Sequence, residues 1–136
     1  MIEGIIVFLI NGEEYAIDLQ QVPVITKADK YFRSNPFNNG RNPSLNFDNK
    51  QIELIDIRSD LGYVSQDINE NSRIILFERG FDYFGIIVDK IKYILNIDHK
   101  SFEQGDTNRS GFISEINYGN SVYKLLNLNM MTVKQS

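Results

Sequence analysis

The chain has 136 residues, 42% of them hydrophobic and 24% charged, with a net charge of −4 and no cysteine. That length holds one ordinary domain or two very small ones sharing a core, in a composition that is neither disordered nor fibrous. Disulfide frameworks and thiolate chemistry are excluded, and an acidic balance with no basic stripe argues against nucleic acid as a partner.

In chain order the reading is almost all strand. IIVFLI (5–10) is a buried run ended by the turn signal Asn11-Gly12. It is too short and wrongly flanked for a signal peptide or a membrane span, so the expectation is a soluble, cytoplasmic protein with no membrane insertion. YAIDL (15–19) alternates, with Tyr15, Ile17 and Leu19 on one face and Ala16 and Asp18 on the other, as in a strand half-exposed to water. QQVPVI (20–25) holds Pro23, which cannot donate a ladder hydrogen bond, so this strand belongs at an edge or carries a bulge. Residues 27–44 are polar, rich in Asn, Pro and Gly, and read as loop. Residues 46–57 read as a hairpin about Asp48-Asn49-Lys50, RSDLG (58–62) as a short helical turn and 64–72 as a polar connector.

The second half runs in the same order. SRIILF (72–77) and YFGIIV (83–88) are strands about the turn RGFD, and Phe84, Ile86 and Val88 face one way. KIKYILNI (90–97) alternates Ile91, Tyr93, Leu95 and Ile97 against Lys92, Ile94 and Asn96. Residues 99–111 are loop, GFISEI (111–116) a strand, Tyr118 to Ser121 a turn and VYKLLNLN (122–129) the last strand. The order is the same because the sequence is. At a constant offset of 69 residues Ile5, Ile6, Phe8, Ile17 and Ile25 meet Ile74, Ile75, Phe77, Ile86 and Ile94. At an offset of 71, Leu54, Ile55 and Ile57 meet Leu125, Leu126 and Leu128. Such a repeat is the mark of an internal duplication. The expected fold class is therefore all-β: two pseudo-symmetric small barrels of about five strands, each with short helical turns. The halves run roughly 1–70 and 71–136 within a single domain, an arrangement that leaves the chain ends room to exchange between the barrels. A binding site is expected where the two modules meet or on their outer ends.

Catalysis finds little to work with. His99 is the single histidine and reads as a solvated loop residue; with no cysteine beside it, a zinc site is not expected. Asp18, Asp56 and Asp89 could be drawn together as carboxylates, but Asp18 reads as solvent-facing and the other two as turn caps. No glycine-rich phosphate loop is present. The expectation is a protein without catalytic residues, metal or cofactor. Of the aromatic group Phe81, Tyr83, Phe84 and Tyr93, most should fill a core.

Three blocks carry a family resemblance. FLINGEEYAIDLQQVPVI (8–25) resembles the N-terminal signature of CheW-like domains, IELIDIRSDLG (52–62) their V-P-V-I-D-L-R-x-x-L-G, and FGIIVDKIKYI (84–94) their G-L-L-V-D-x-V-x-x-V. The resemblance implies a pair of SH3-like five-stranded barrels. It also implies a non-enzymatic adaptor that couples a chemoreceptor signalling-tip hairpin to the regulatory domain of the histidine kinase CheA. Val22 and Ile25 would line an apolar groove for the receptor, and Arg58 and Asp48 would lie near the partner-facing rim. The chain departs from the pattern where the family's N-L-R-G is Asn46-Phe47-Asp48-Asn49, so an arginine becomes Asp48 and a glycine Asn49. The glutamate of V-x-E-I becomes Val24, whereas Asp56, Arg58 and the pair Val88-Asp89 are kept. The alternative is a CheW-like module recruited to another kinase or surface-motility pathway, with receptor binding lost.

Overall fold

The computed structural model describes residues 4–21, 24–28, 36–37, 43–64, 67–80, 82–97, 102–104 and 113–128. Among them are eleven strands: β1 (Gly4–Ile10), β2 (Glu13–Asp18), β3 (Val24–Lys27), β4 (Ser44–Phe47), β5 (Lys50–Ile55), β6 (Arg73–Arg79), β7 (Asp82–Val88), β8 (Lys90–Asn96), β9 (Phe102–Gln104), β10 (Ile113–Tyr118) and β11 (Ser121–Leu126). A 3-10 turn covers Leu19–Gln21, and one short helix, α1, covers Ile57–Asp60. No helix among the described residues is long and apolar enough to cross a membrane.

The strands form two curled sheets, in the orders β8-β1-β2-β11-β10-β9 and β3-β6-β7-β5-β4. Each sheet takes strands from both copies of the repeat. The first is built on the hairpin β1–β2 and finished by β8 to β11; the second is built on β6–β7 and finished by β3 to β5. The duplication is reproduced in the hydrogen-bond register. Phe8 pairs with Tyr15 as Phe77 does with Phe84, and Val7 pairs with Ala16 as Leu76 does with Gly85. Likewise Ile25 pairs with Ile75 as Ile94 does with Ile6, and Leu45 pairs with Ile52 as Ile116 does with Tyr123. Even the parallel contacts correspond, Leu54 beside Gly85 and Leu125 beside Ala16.

Three apolar cores follow. One lies between the sheets, drawing Ile6, Phe8, Tyr15 and Ile17 from the first and Ile75, Phe77, Ile86 and Val88 from the second. The second sheet encloses Ile52, Leu54, Ile74, Leu76 and Ile87, and the first encloses Ile5, Val7, Ala16, Ile116 and Leu125. Strands β1 and β6 therefore bury both faces, which is why they read as unbroken apolar runs rather than as alternation. The same two-sided burial corrects the reading of YAIDL. Its alternation is real, but Ala16 is as buried as Tyr15 and Ile17, because its face closes the inner core of the first sheet.

Elsewhere the structure follows the sequence with three further differences. Strand β3 lies at the edge of the second sheet, as a proline-bearing segment should. Asp48 and Asn49, at φ +51° and +61°, make the two-residue turn of β4–β5. In β8 the single alternation from Ile91 to Ile97 is broken. Val7 pairs with Tyr93 but Phe8 with Ile91, so Lys92 is an extra, bulged residue, at the position that the 69-residue offset aligns with Pro23. Ile91 then packs on the central core, while Leu95 and Ile97 pack on the inner one. Part of the loop read over 99–111 is the short strand β9, paired with β10. The polar connector is anchored by Ile68, which is buried in the second sheet's core.

The two copies differ in one tight place. A Cβ at Gly85 would lie 2.8 Å from Leu54 Cδ2, 3.1 Å from Ile74 Cγ2 and 3.2 Å from Leu76 Cδ2. Its counterpart Ala16 has Val7, one carbon shorter, where Gly85 has Leu76, one of the three side chains that crowd the position. Gly85→Ala is expected to cost about 1–2 kcal/mol in urea unfolding through overpacking. The penalty should shrink in a Leu76→Val background; an equal penalty in both backgrounds would refute this packing account.

Candidate partner-binding surface

Asp89 sits where the chain leaves β7 in one sheet and enters β8 in the other. Its carboxylate does two things. Oδ1 pairs with the Arg58 guanidinium, and Oδ2 accepts the backbone N–H of Asn11 at 2.7 Å. Its own N–H donates to the carbonyl of Leu9 at 2.9 Å. One residue thus ties the β1–β2 turn, the crossover between sheets and α1 together. Arg58 is placed by α1, whose N-terminus is capped by Asp56 accepting from Ser59 N at 3.3 Å. Arg58 is only 4% exposed, and its Nε has no hydrogen-bond partner among the described residues. Burial pushes the guanidinium below its ordinary pKa, and Asp56 pulls it back up. Behind α1 the hydroxyls of Tyr15 and Tyr63 meet at 2.7 Å, and burial followed by this bond holds the Tyr15 phenol well above its usual pKa.

The outward-facing candidates lie elsewhere. On β3, Val24 pairs with Leu76 and Ile25 with Ile75; both are half-buried, and Ile25 rests on the central core. Asp48 and Asn49 stand exposed at the β4–β5 tip. Next to them Lys50 donates to the Tyr83 hydroxyl at 2.8 Å, with its ammonium 4.0 Å from the ring centroid. That bond is the main cause holding the ammonium above its ordinary pKa, and Asp48 and Glu78 add attraction. Lys50, Tyr83, Gln51, Glu78, Gly80 and Asp82 line a shallow cavity of about 520 Å³ beside the tip.

Seven of the eight residues singled out from the sequence fall into three groups. Arg58, Val88 and Asp89 come together, the first two buried and Asp89 half-buried. Arg58, which the resemblance sets near a rim, is 4% exposed and ion-paired with Asp89, and Val88 is wholly buried. Val24 and Ile25 mark a sheet edge, and Asp48 and Asn49 a hairpin tip. Val22 lies outside the described residues, as do Phe81 and His99. Asp18 accepts from Gln20 N at 3.0 Å and is half-buried rather than fully in water. Among the described residues no group of three or more His, Cys, Asp or Glu is placed to hold a metal ion. The Lys50–Tyr83 pair escaped the sequence reading. Only the parallel pairing of β5 with β7 brings the two residues together.

Comparison with known proteins agrees with this architecture. The solved structure of the scaffolding protein TtCheW from Thermoanaerobacter tengcongensis superposes with a TM-score of 0.69 at 21% identity, covering 94% of this chain and 86% of that one. At that identity the likeness is one of fold. The chemotaxis protein CheW of Bacillus subtilis (strain 168) is 31% identical over 104 residues, 74% of this chain, and the aligned part spans 65% of that relative's length. The profile of the CheW-like domain covers residues 4–134, taking in both sheets, the Asp89 junction and the β4–β5 tip. Two interlocked sheets and a sequence profile that spans them both place this chain in the CheW-like domain family.

Proposed function

We propose that this chain is a non-enzymatic scaffold that couples chemoreceptors to the histidine kinase CheA, at the cytoplasmic side of membrane-bound receptor arrays. The family profile over residues 4–134 carries the reading. The geometry supports a division of labour within it. The half-buried Val24 and Ile25 on the edge strand β3, with Val22 two positions before them in the sequence, offer apolar side chains to an amphipathic receptor hairpin. The exposed Asp48–Asn49 tip meets the regulatory domain of CheA, while Arg58, Val88 and Asp89 brace these surfaces from behind. A carboxylate at the tip selects a kinase with a basic group opposite, since like charges across an interface cost affinity.

A binding titration against the CheA regulatory domain and a receptor signalling-tip hairpin, both from the same genome, tests this. Saturable binding to both is expected. Asp48→Arg should weaken the kinase complex about tenfold, ~1.4 kcal/mol, and leave the receptor complex unchanged. The exposed carboxylate of Asp48, where the family resemblance implies an arginine, is the observation that favours a second reading: a module serving another kinase or a surface-motility pathway. Binding to neither partner by the folded protein would overturn the coupling role and leave that second reading standing.

A further inference from the structure

We propose that this chain assembles with a second copy of itself by exchanging halves, the segment ending at Val64 in one copy being completed by the segment beginning at Asp67 in the other.

The strand pairing carries the argument. Among the described strands, only β1–β2 and β4–β5 pair within the first half, and β6–β7, β9–β10 and β10–β11 within the second. Every other pairing joins the halves: β1 to β8, β2 to β11, β3 to β6 and β5 to β7. Neither sheet is complete without both halves, and the central core draws buried residues from each. The monomer is in effect an exchanged pair already, joined by a single link.

Gly62 sits at φ +86° just past α1, and its N–H and that of Tyr63 are held by the carbonyls of Ser59 and Arg58. Tyr63 is also bonded to Tyr15, so the chain stays with the first half to this point. Val64 is then 80% exposed, and Ile68 is buried in the second sheet's core. Redirecting the link leaves all four inter-half pairings as they are, now made between chains. Exchanged dimer and monomer therefore hold the same contacts, and concentration during folding decides between them. The dimer presents each outer surface twice, which would convert a one-to-one adaptor into a bivalent one.

Because the chain has no cysteine, single thiols can report the exchange. Glu13 on β2 and Lys124 on β11 lie on opposite halves and form an ion pair of 3.4 Å. Full-length Glu13→Cys and Lys124→Cys chains, refolded together from denaturant, are treated with a short thiol crosslinker. Refolding at high protein concentration should give a dimer by light scattering, with the two variants crosslinked to each other. Mixing the variants after folding should give none. Unaltered chain should show the same dimer growing with refolding concentration. Monomer at every concentration would overturn the proposal, and so would a dimer in which the two thiols do not crosslink.

Discussion

Phe8→Ala and Phe77→Ala should each lower the free energy of unfolding by about 3–5 kcal/mol, the range for deleting a buried aromatic side chain and leaving a cavity. Both rings are fully buried in the core between the sheets. They occupy equivalent positions, with ring centroids 6.5 Å from Tyr15 in one case and 6.0 Å from Phe84 in the other. A domain of ordinary stability has about 5–15 kcal/mol in all, so each variant falls near the limit of folding. The shape of the transition matters as much as its midpoint. Because the core holding both rings belongs to neither sheet alone, each variant should still unfold in one step. Urea curves followed by circular dichroism and by tyrosine fluorescence should coincide. If Phe77→Ala melted its own sheet while the other stayed folded, two transitions would separate and the shared core would be disproved as the unit of cooperativity.

Asp89→Ala is expected to cost about 3 kcal/mol, the lower end for removing one member of a buried ion pair, since its side chain is 21% exposed. The loss is larger than that of the carboxylate's own contacts. It takes the paired carboxylate from the Arg58 guanidinium, which water scarcely reaches and which keeps Asp56 for opposite charge, and removes the acceptor for Asn11 N. Arg58→Met should cost less, because the carboxylate it leaves still accepts from Asn11 and is partly solvated. In the combined variant no charge is left unpaired, so the two losses should not add. A double-mutant cycle in urea checks this. Full additivity, or a cost for Asp89→Ala below about 1 kcal/mol, would mean that the pair does not hold the junction.

Much of this was legible in the chain. The duplication was plain because buried strand positions tolerate few residue types, so Ile5 and Ile74 or Phe8 and Phe77 still match. The Asp48–Asn49 turn, the short helix and the edge strand each came from local chemistry: residues that accept positive φ, an aspartate cap, a proline. Burial of Ala16 was hidden because alternation reports one covered face and cannot say that the other is covered too. The bulge at Lys92 was hidden because it depends on what β1 presents, and β9 because three residues carry too little pattern. The site was harder still. Arg58 and Asp89 are 31 residues apart in sequence, and only the crossover between sheets brings them together, turning an apparent surface charge into an internal one.

The two-sided burial of β1 and β6 also bears on how the halves have drifted since they were copied. A residue packed on both sides of its strand has no vacant direction in which to change, so the hairpins β1–β2 and β6–β7 have kept their common ancestry visible. Novelty could accumulate only where one side is open: at the tips, where Asp48-Asn49 corresponds to Gly119-Asn120, and at the edges, where Val24-Ile25 corresponds to Tyr93-Ile94. At the second edge Ile94 is 55% exposed, whereas Ile25 is half-covered. Two copies of one ancestral surface have thus become two different surfaces within one fold, a well-exposed edge at Ile94 and a half-covered one at Ile25.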